Sequence, residues 1–423
     1  MRALRLKDLG RWYSGGTPPR DRPEHWDGDV PWLSAKDIDS TRLRPPTTFI
    51  TREAALEHSR VVPRGALLLI VRGMALAHGL PVVKTDTAVA FNQDLRALVC
   101  APCIEPRFVY YALIGHRWRL NAHVDQAAHG TARVVDSIYG ERIEVPDQGG
   151  QRAVASFLGR ECARIEMLSE ELAATSALAA TANADGLRRL IFGTGAPQVP
   201  LKFYAKTGTG HTPSREHPEY WAPSECVVPW FTLADIHQIR DGRRVEVDET
   251  SERVSETGLA NSSAVKLPAG TVILSRTASV GFSAIMRVDM AVSQDFMTWT
   301  SGPRLDPRYL LLTLRAMQPE LRGLMYGSTH KTIYMPDLHA LCVPLPDVEL
   351  QLDIVDRASR IAASTWPLVD EIATTQKALA EYREALITEA VSGQIDVTRL
   401  SDAHMEESLD AVREGERPEM LAS

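Results

Sequence analysis

The feature that most constrains this chain is that it is written twice. Gly15-Gly-Thr17-Pro18-Pro-Arg20-Asp-Arg-Pro23-Glu24-His-Trp26 aligns with Gly210-His-Thr212-Pro213-Ser-Arg215-Glu-His-Pro218-Glu219-Tyr-Trp221, with seven of twelve positions identical. Pro31-Trp32-Leu-Ser34-Ala-Lys36-Asp37-Ile38 follows the first block as Pro229-Trp230-Phe-Thr232-Leu-Ala234-Asp235-Ile236 follows the second. The order then continues: Pro63-Arg-Gly65 with Pro268-Ala-Gly270, Arg72 with Arg276, Gln93-Asp94 with Gln294-Asp295, Gly130-Thr131 with Gly327-Ser328, and Val145-Pro146 with Val343-Pro344. A period near 200 residues that keeps its order along the chain requires two copies of one architecture.

The end of each copy reads as helix. Gln151 and Gln351, and Gly193 and Gly393, are both 200 positions apart, so the two helical segments have equal length. In the second, apolar or small residues at 354, 358, 361, 365, 368, 372, 375, 379, 382 and 386 alternate steps of four and three, the seam of a coiled coil. Val154, Leu158, Cys162, Ile165, Leu168 and Leu172 give the first a similar, less regular stripe. Gly193 and Gly393 read as C-terminal caps. Pro367 should kink or break the second helix, and Asn183-Ala-Asp185-Gly186 should interrupt the first, leaving a short helix through Phe192. Short β-like runs (66–71, 88–91, 271–275, 291–292) mix with helical ones (107–116, 307–317) in the rest of each copy.

The resulting fold class is α/β or α+β. A first domain spans 1–148, a helical spacer 149–195, a second domain 196–347, a second spacer 348–397, and an acidic tail 398–423. If the helices pair antiparallel, about 40 residues at 1.5 Å each make a rod of roughly 60 Å separating two heads. Two plain helical hairpins closing the domains would be the simpler alternative.

Composition excludes more than it indicates. The 44% apolar and 24% charged fractions are those of an ordinary globular protein. No apolar run nears the roughly 18 residues of a membrane span, and Met1–Lys7 lacks the apolar stretch of a signal peptide, so a cytoplasmic protein is expected. Five cysteines in no framework spacing read as reduced, buried thiols, and Cys100-x-x-Cys103 alone does not close a zinc site. The net charge of −7 is concentrated in residues 349–423, with 7 basic against 16 acidic, while residues 1–148 hold 20 basic against 17 acidic. No Lys follows a Gly, so there is no Walker A loop, and no Gly-x-Gly-x-x-Gly, Gly-x-Ser-x-Gly or His-Glu-x-x-His string occurs. The Asn/Asp-Pro-Pro-Tyr/Phe stretch of amino-methyltransferases is absent as well. No catalytic residue, metal site or cofactor site is expected in this chain.

The repeated Thr-Pro-x-Arg, Trp and Pro-Trp blocks, with Tyr382-Arg-Glu-Ala-Leu-Ile-Thr-Glu-Ala-Val-Ser-Gly-Gln-Ile-Asp-Val397, resemble the specificity subunits of type I restriction–modification systems over about residues 1–397. The resemblance implies two target-recognition domains, each reading half of a split double-stranded DNA sequence. It also implies partners that carry the chemistry: two modification subunits using S-adenosylmethionine, and an ATP-driven restriction subunit. A protein-binding scaffold without DNA preference is the alternative; a self-contained restriction–methylation enzyme is disfavoured by the missing motifs.

Candidate DNA contacts come from residue type and position. Arg20 and Arg215 sit at matched places in Gly/Pro-rich loops, suited to phosphate or simply solvated. Arg72 and Arg276 end apolar runs. Gln93 and Gln294 have the donor–acceptor pair that reads adenine, although a satisfied core glutamine fits their context somewhat better. Thr131 and Arg133, and Ser328, His330 and Lys331, lie in polar loops after a glycine and are the leading candidates. Lys36 faces Ala234 in the other copy, so it would read in one domain only; Thr232, opposite Ser34, completes the set. Trp26, Trp32, Trp221 and Trp230 are expected in the core.

Overall fold

Leu67–Ile70 buries four consecutive side chains, which only an interior strand covered on both faces can do. The computed structural model, which describes residues 2–39, 42–126, 132–327 and 331–397, places this strand at the centre of the first domain. It is antiparallel to Leu95–Cys100 on one side and Val82–Lys84 on the other, with Gly10–Ser14 beyond Leu95–Cys100. In the second domain Val272–Ser275 holds the same place between Phe296–Ser301 and Ser283–Met286. Ala205–Thr209 forms one edge of that sheet, and Glu246–Val247 adds a parallel strand at the other.

Each domain has a second, small sheet in which the Pro-Trp block pairs in parallel with a later two-residue strand: Trp32 beside Ala90, and Trp230 beside Ala291. A third pairing closes each copy, Arg2–Arg5 with Arg142–Val145 and Gln198–Pro200 with Cys342–Pro344. The domains are α+β, antiparallel for the most part, with the helices Pro106–Gly115 and Pro307–Ala316 packed on their sheets.

Two helices of 45 residues follow these closures, Gln148–Phe192 and Val348–Ser392. Their roots are built alike. Asp147 and Asp347 cap the first turns through Gly150 N–H (2.9 Å) and Leu350 N–H (2.8 Å). Gln151 then accepts from Glu105 N–H (2.8 Å) and donates to the carbonyls of Pro146 (3.0 Å) and Cys103 (3.4 Å). Gln351 accepts from Asp306 N–H (2.8 Å) and donates to Pro346 and Arg304 (2.9 Å each). Both glutamines are buried.

The chain divides into two compact units, one made of residues 1–173 and 371–423, the other of 174–370. In the first, Leu379, Tyr382, Leu386, Ile387, Ala390 and Val391 of the second long helix join the domain core together with Val154, Phe157, Leu158 and Ile165 of the first. The two helical segments run antiparallel there: Gln376 donates to the Ser169 carbonyl (3.2 Å), and seven residues on, Arg383 meets Cys162, seven residues back. That step of seven is the heptad expected of a coiled-coil seam. In the second unit, Ile191 of the first long helix and Ile354 and Val355 of the second enter one core with Tyr309, Leu310 and Leu314.

Four expectations need correction. The first long helix is not interrupted at Asn183–Gly186. Asn and Gly there cost about 1 kcal/mol each at most, while Leu187, Leu190 and Ile191 just beyond them pack into the second-domain core and hold the helix through the weak stretch. The second helix likewise is not broken at Pro367; Leu368, meant for the seam, is 44% exposed. Packing on both sides of Pro367 sustains a turn that has lost one backbone hydrogen bond. The cysteines are free, as expected, but Cys103 and Cys342 are exposed rather than buried, because one lies in a turn and the other on the outward phase of a strand. Burial pushes the Cys100 thiol up to about 12.

Gly393 takes the left-handed conformation of a helix cap (φ 75°), whereas after the first helix that role falls to Gly195 (φ 67°), two residues later than expected. The tail from 398 lies outside the described residues.

The root glutamine generates a stability prediction. Gln351→Ala removes the partners of three backbone groups, and an unsatisfied buried group costs roughly 1–3 kcal/mol. Urea denaturation of the full chain should show a loss of about 2–4 kcal/mol, with Leu352→Ala, on the exposed face of the same turn, near wild type.

Candidate nucleic-acid interface

The interior strand of each domain ends by running into a hairpin. In the first domain Arg72 pairs with Arg133, Gly73 N–H donates to Ala132 (3.0 Å) and Val134 N–H to Val71 (2.9 Å). In the second, Thr277 pairs with Thr332, Ala278 N–H donates to Lys331 (2.9 Å) and Ile333 N–H to Arg276 (2.9 Å). Gly73 (φ 135°) and Ala278 (φ 57°) both have positive φ at this corner.

These pairings revise the alignment of the repeat. Arg72 corresponds to Thr277, and the counterpart of Arg276 is Val71. Counting onward from Gly65 and Gly270 gives the same result. In an extended segment a slip of one residue turns a side chain to the opposite face, so the two arginines point differently. Arg72 is exposed. Arg276 is half-buried and folded back on the backbone, with Nε donating to the Gln294 carbonyl (3.0 Å) and Nη1 to Ile333 (3.4 Å).

The first-domain corner gathers three candidates into one cleft. Arg72, Gln93 and Arg133 line a hollow of about 390 Å³ together with Arg96, Asp136 and Tyr139. Three guanidinium groups against one carboxylate make this cleft cationic; Arg133 also lies 3.8 Å from Asp125, an exposed and therefore weak pairing. Behind the hairpin, Glu141 accepts from Arg119 (2.7 Å) and contacts His123 (3.0 Å); the His123 hydrogen bond, then Arg119, holds its carboxyl below the usual range. Arg96, Asp136 and Tyr139 were not singled out from sequence, since nothing local marks them; only the sheet brings them to the cleft.

Gln93 and Gln294 are both exposed, so the core-glutamine reading is wrong. Their frame is repeated faithfully: Thr17 Oγ1 donates to Gln93 Oε1 (2.7 Å) and Thr212 Oγ1 to Gln294 Oε1 (2.5 Å). Each amide nitrogen is thereby turned away from the threonine.

The second domain offers a different set. Lys331 is exposed beside the hairpin, and Tyr326 and Tyr334, each 56% exposed, stand 5.5 Å apart between ring centres. Exposed aromatic faces next to a cation suit base or sugar contacts, and a polar-loop search passes over them. Thr131, Ser328 and His330 lie outside the described residues.

The remaining candidates divide. Arg20 and Lys36 are exposed. Arg215 lies 3.7 Å above the Trp221 ring and pairs with Glu252, so its charge is already engaged. Thr232 is a capping residue: its Oγ1 accepts from Ala234 N–H (3.2 Å) and donates to Asp235 Oδ2 (3.2 Å), which also accepts from Thr232 N–H (2.9 Å). Ser34 and Asp37 form the same box. The Ser/Thr-x-x-Asp spacing signals such a cap and could have been read from the sequence. Trp32 and Trp230 are buried, while Trp26 and Trp221 are half-buried. Their role is local: Trp26 Nε1 donates to Pro19 (3.1 Å), Trp32 Nε1 to Gly16 (3.0 Å) and Trp221 Nε1 to Ser214 (3.1 Å), holding the loops that carry Arg20 and Arg215.

With this geometry in hand, known proteins provide the frame. Residues 205–370 match the model of the type I restriction modification DNA specificity domain. Over 159 residues the chain is 29% identical to the EcoR124I/EcoR124II specificity subunit of Escherichia coli, covering 37% of this chain and 39% of that one. Over 156 residues it is 24% identical to the MjaIX specificity subunit of Methanocaldococcus jannaschii, covering 36% and 35%. The chain thus spans well under half the length of these curated relatives. A solved chain described in terms of complex assembly and conformational transition of the type I R-M system shares the fold with a TM-score of 0.69 at 19% identity, over 93% of this chain and 98% of that one. The architecture, two like domains each followed by a long helix, is one this chain shares with that solved chain. Residues 205–370 are thus similar to the DNA specificity domain of type I restriction modification systems, and part of the chain is similar to their specificity subunits.

Two substitutions separate frame from contact. Thr232→Ala should lower stability by about 1 kcal/mol in urea denaturation and leave DNA preference unchanged. Arg72→Ala with Arg133→Ala should leave the urea midpoint near wild type while weakening DNA binding and flattening its salt dependence by up to about two phosphate contacts.

Proposed function

We propose that this chain is the sequence-reading subunit of a type I restriction–modification complex, each domain addressing one half of a bipartite double-stranded DNA target. One observation carries the reading: the two domains keep the same frame and change the residues displayed on it. Thr–Gln pair, capping box, indole-held loop and root glutamine all recur. At the corner where strand meets hairpin, however, Arg72 and Arg133 face Thr277 and Thr332. Positioning groups held constant beneath different contact groups are what two independent readings of two half-sites require. A protein-binding scaffold would give this corner no reason to differ in hydrogen-bonding character.

Modification subunits, two in number and carrying S-adenosylmethionine, would supply methyl transfer, and an ATP-driven restriction subunit would complete the larger assembly in the cytoplasm. This chain would contribute recognition and no catalysis. Its two domains carry too little net charge to bind DNA tightly alone, so the partners would add phosphate contacts. None of the helices among the described residues is long and apolar enough to cross a membrane.

Two experiments test the reading, both by mapping methylated adenines genome-wide in cells expressing this chain with its modification partner. Replacing residues 328–331 with alanine should degrade one half of the methylated motif and leave the other unaltered; loss of preference at both halves in a folded protein overturns the assignment. If the long helices set the half-site separation, four residues inserted after Leu172, about one turn or 6 Å, should lengthen the unread gap by roughly one or two base pairs of 3.4 Å each. A stable, active insertion variant with an unchanged gap rules out that ruler.

A further inference from the structure

Beneath the loop that carries Arg20, the first domain brings together His25, Glu57 and His58. His25 stands just before Trp26, and Glu57 and His58 close the Arg52–His58 helix. One ligand atom from each residue lies within 4.8 Å of the others. The two imidazole rings are 4.8 Å apart and tilted by 46°. His25 is only 7% exposed. Its Nδ1, and Nε2 of His58, are shielded from solvent without a hydrogen-bond partner. The Glu57 carboxylate reaches to 3.5 Å from His58 Nε2, a contact too poorly formed to count as that nitrogen's hydrogen bond.

Two orphaned ring nitrogens cost roughly 1–3 kcal/mol each, and they do not satisfy one another. A divalent cation would satisfy both. Two imidazoles and a carboxylate are a ligand set that zinc accepts with bonds near 2.0–2.2 Å in tetrahedral geometry, which puts ligand atoms roughly 3.3–3.6 Å apart. Closing from at most 4.8 Å to that distance moves each ligand atom inward by up to about 1 Å, a displacement that side-chain torsions can supply. The exposed side of Glu57 leaves a remaining position to water.

The second domain is an internal control. His25 O accepts from Thr51 N–H, the cap of its helix, just as Tyr220 O accepts from Ser255 N–H. Counting from these caps, Glu57 and His58 correspond to Asn261 and Ser262. There the polar groups are paired locally: Asn261 Nδ2 donates to Thr257 (2.9 Å), and Ser262 Oγ accepts from Ala264 N–H (3.2 Å). Tyr220 stacks on His217 instead of lending a ligand. The frame is common to both domains, and the cation donors are present in one.

We propose that His25, Glu57 and His58 form a zinc site, which ties the segment holding the Arg20 loop to the end of the Arg52–His58 helix. The site is independent of the DNA-reading assignment and is tested without DNA. The full chain, stripped with a chelator, is titrated with zinc by calorimetry, and separately with cobalt(II), whose visible absorption reports imidazole ligation. One equivalent should bind, with a matching rise in Tm. His25→Tyr and His58→Ser each install the residue that the second domain uses, so folding is retained and checked by circular dichroism. Partners of metal ligands alone are worth about 10–100-fold in affinity, so losing a ligand should weaken binding by at least that much. Cys103→Ser with Cys342→Ser, which removes the exposed thiols, should bind as wild type. Absence of one-to-one binding up to about 0.1 mM zinc, or equal binding by both histidine variants, overturns the site.

Discussion

A buried glutamine at the root of each long helix does more to define this molecule than any surface residue. Gln151 and Gln351 each bind three backbone groups, two carbonyls and one amide, drawn from the domain's last turn and from the start of a packed helix. Because a buried unpaired amide or carbonyl is costly, the glutamine fixes where the helix leaves the domain and at what rotation about its axis. The apolar face of the helix is then committed to one direction from its first turn. An apolar residue at the same place would fill the volume but leave the exit angle to side-chain packing alone.

Much of this was legible in the chain because the repeat acts as an alignment of the protein with itself. The equal length of the two long helices and the heptad phase follow from residues such as Gln151 and Gln351, which recur at one offset. Where the reading failed, the reason was competition between local and tertiary forces. Asn183 and Gly186 signal a break, and packing of Leu187 and Ile191 overrides it. Pro367 signals another, and anchored turns on either side absorb it. The equivalence of Arg72 with Arg276 failed differently. Residue identity drew them together, while the offset set at Gly65 and Gly270 had already placed Arg72 against Thr277.

The candidate interface was less legible than the fold. A cleft is assembled from elements far apart in sequence, and Arg96 or Tyr139 carries no mark until strand pairing carries it beside Arg72. Residues that looked available were sometimes occupied. Thr232 serves its own helix, Arg276 braces two carbonyls, and Arg215 is held between indole and carboxylate. A side chain that recurs in both copies is therefore as much a sign of scaffolding as of contact. Arg133 opposite Thr332, a position where the copies disagree, is the better place to look for what differs between the two readings.

The division of the chain into two units also fixes the order in which it can be completed. Residues 174–370 contain everything the second unit needs, whereas the first unit draws Leu379, Tyr382, Leu386 and Val391 from the far end. During synthesis the side chains around Leu158 and Ile165 emerge some two hundred residues before the partners that pack on them from the second long helix. Contacts of such long sequence separation form slowly and leave apolar surface exposed meanwhile, so the patch around Leu158 and Ile165 is the part of the first unit that its own sequence cannot cover early.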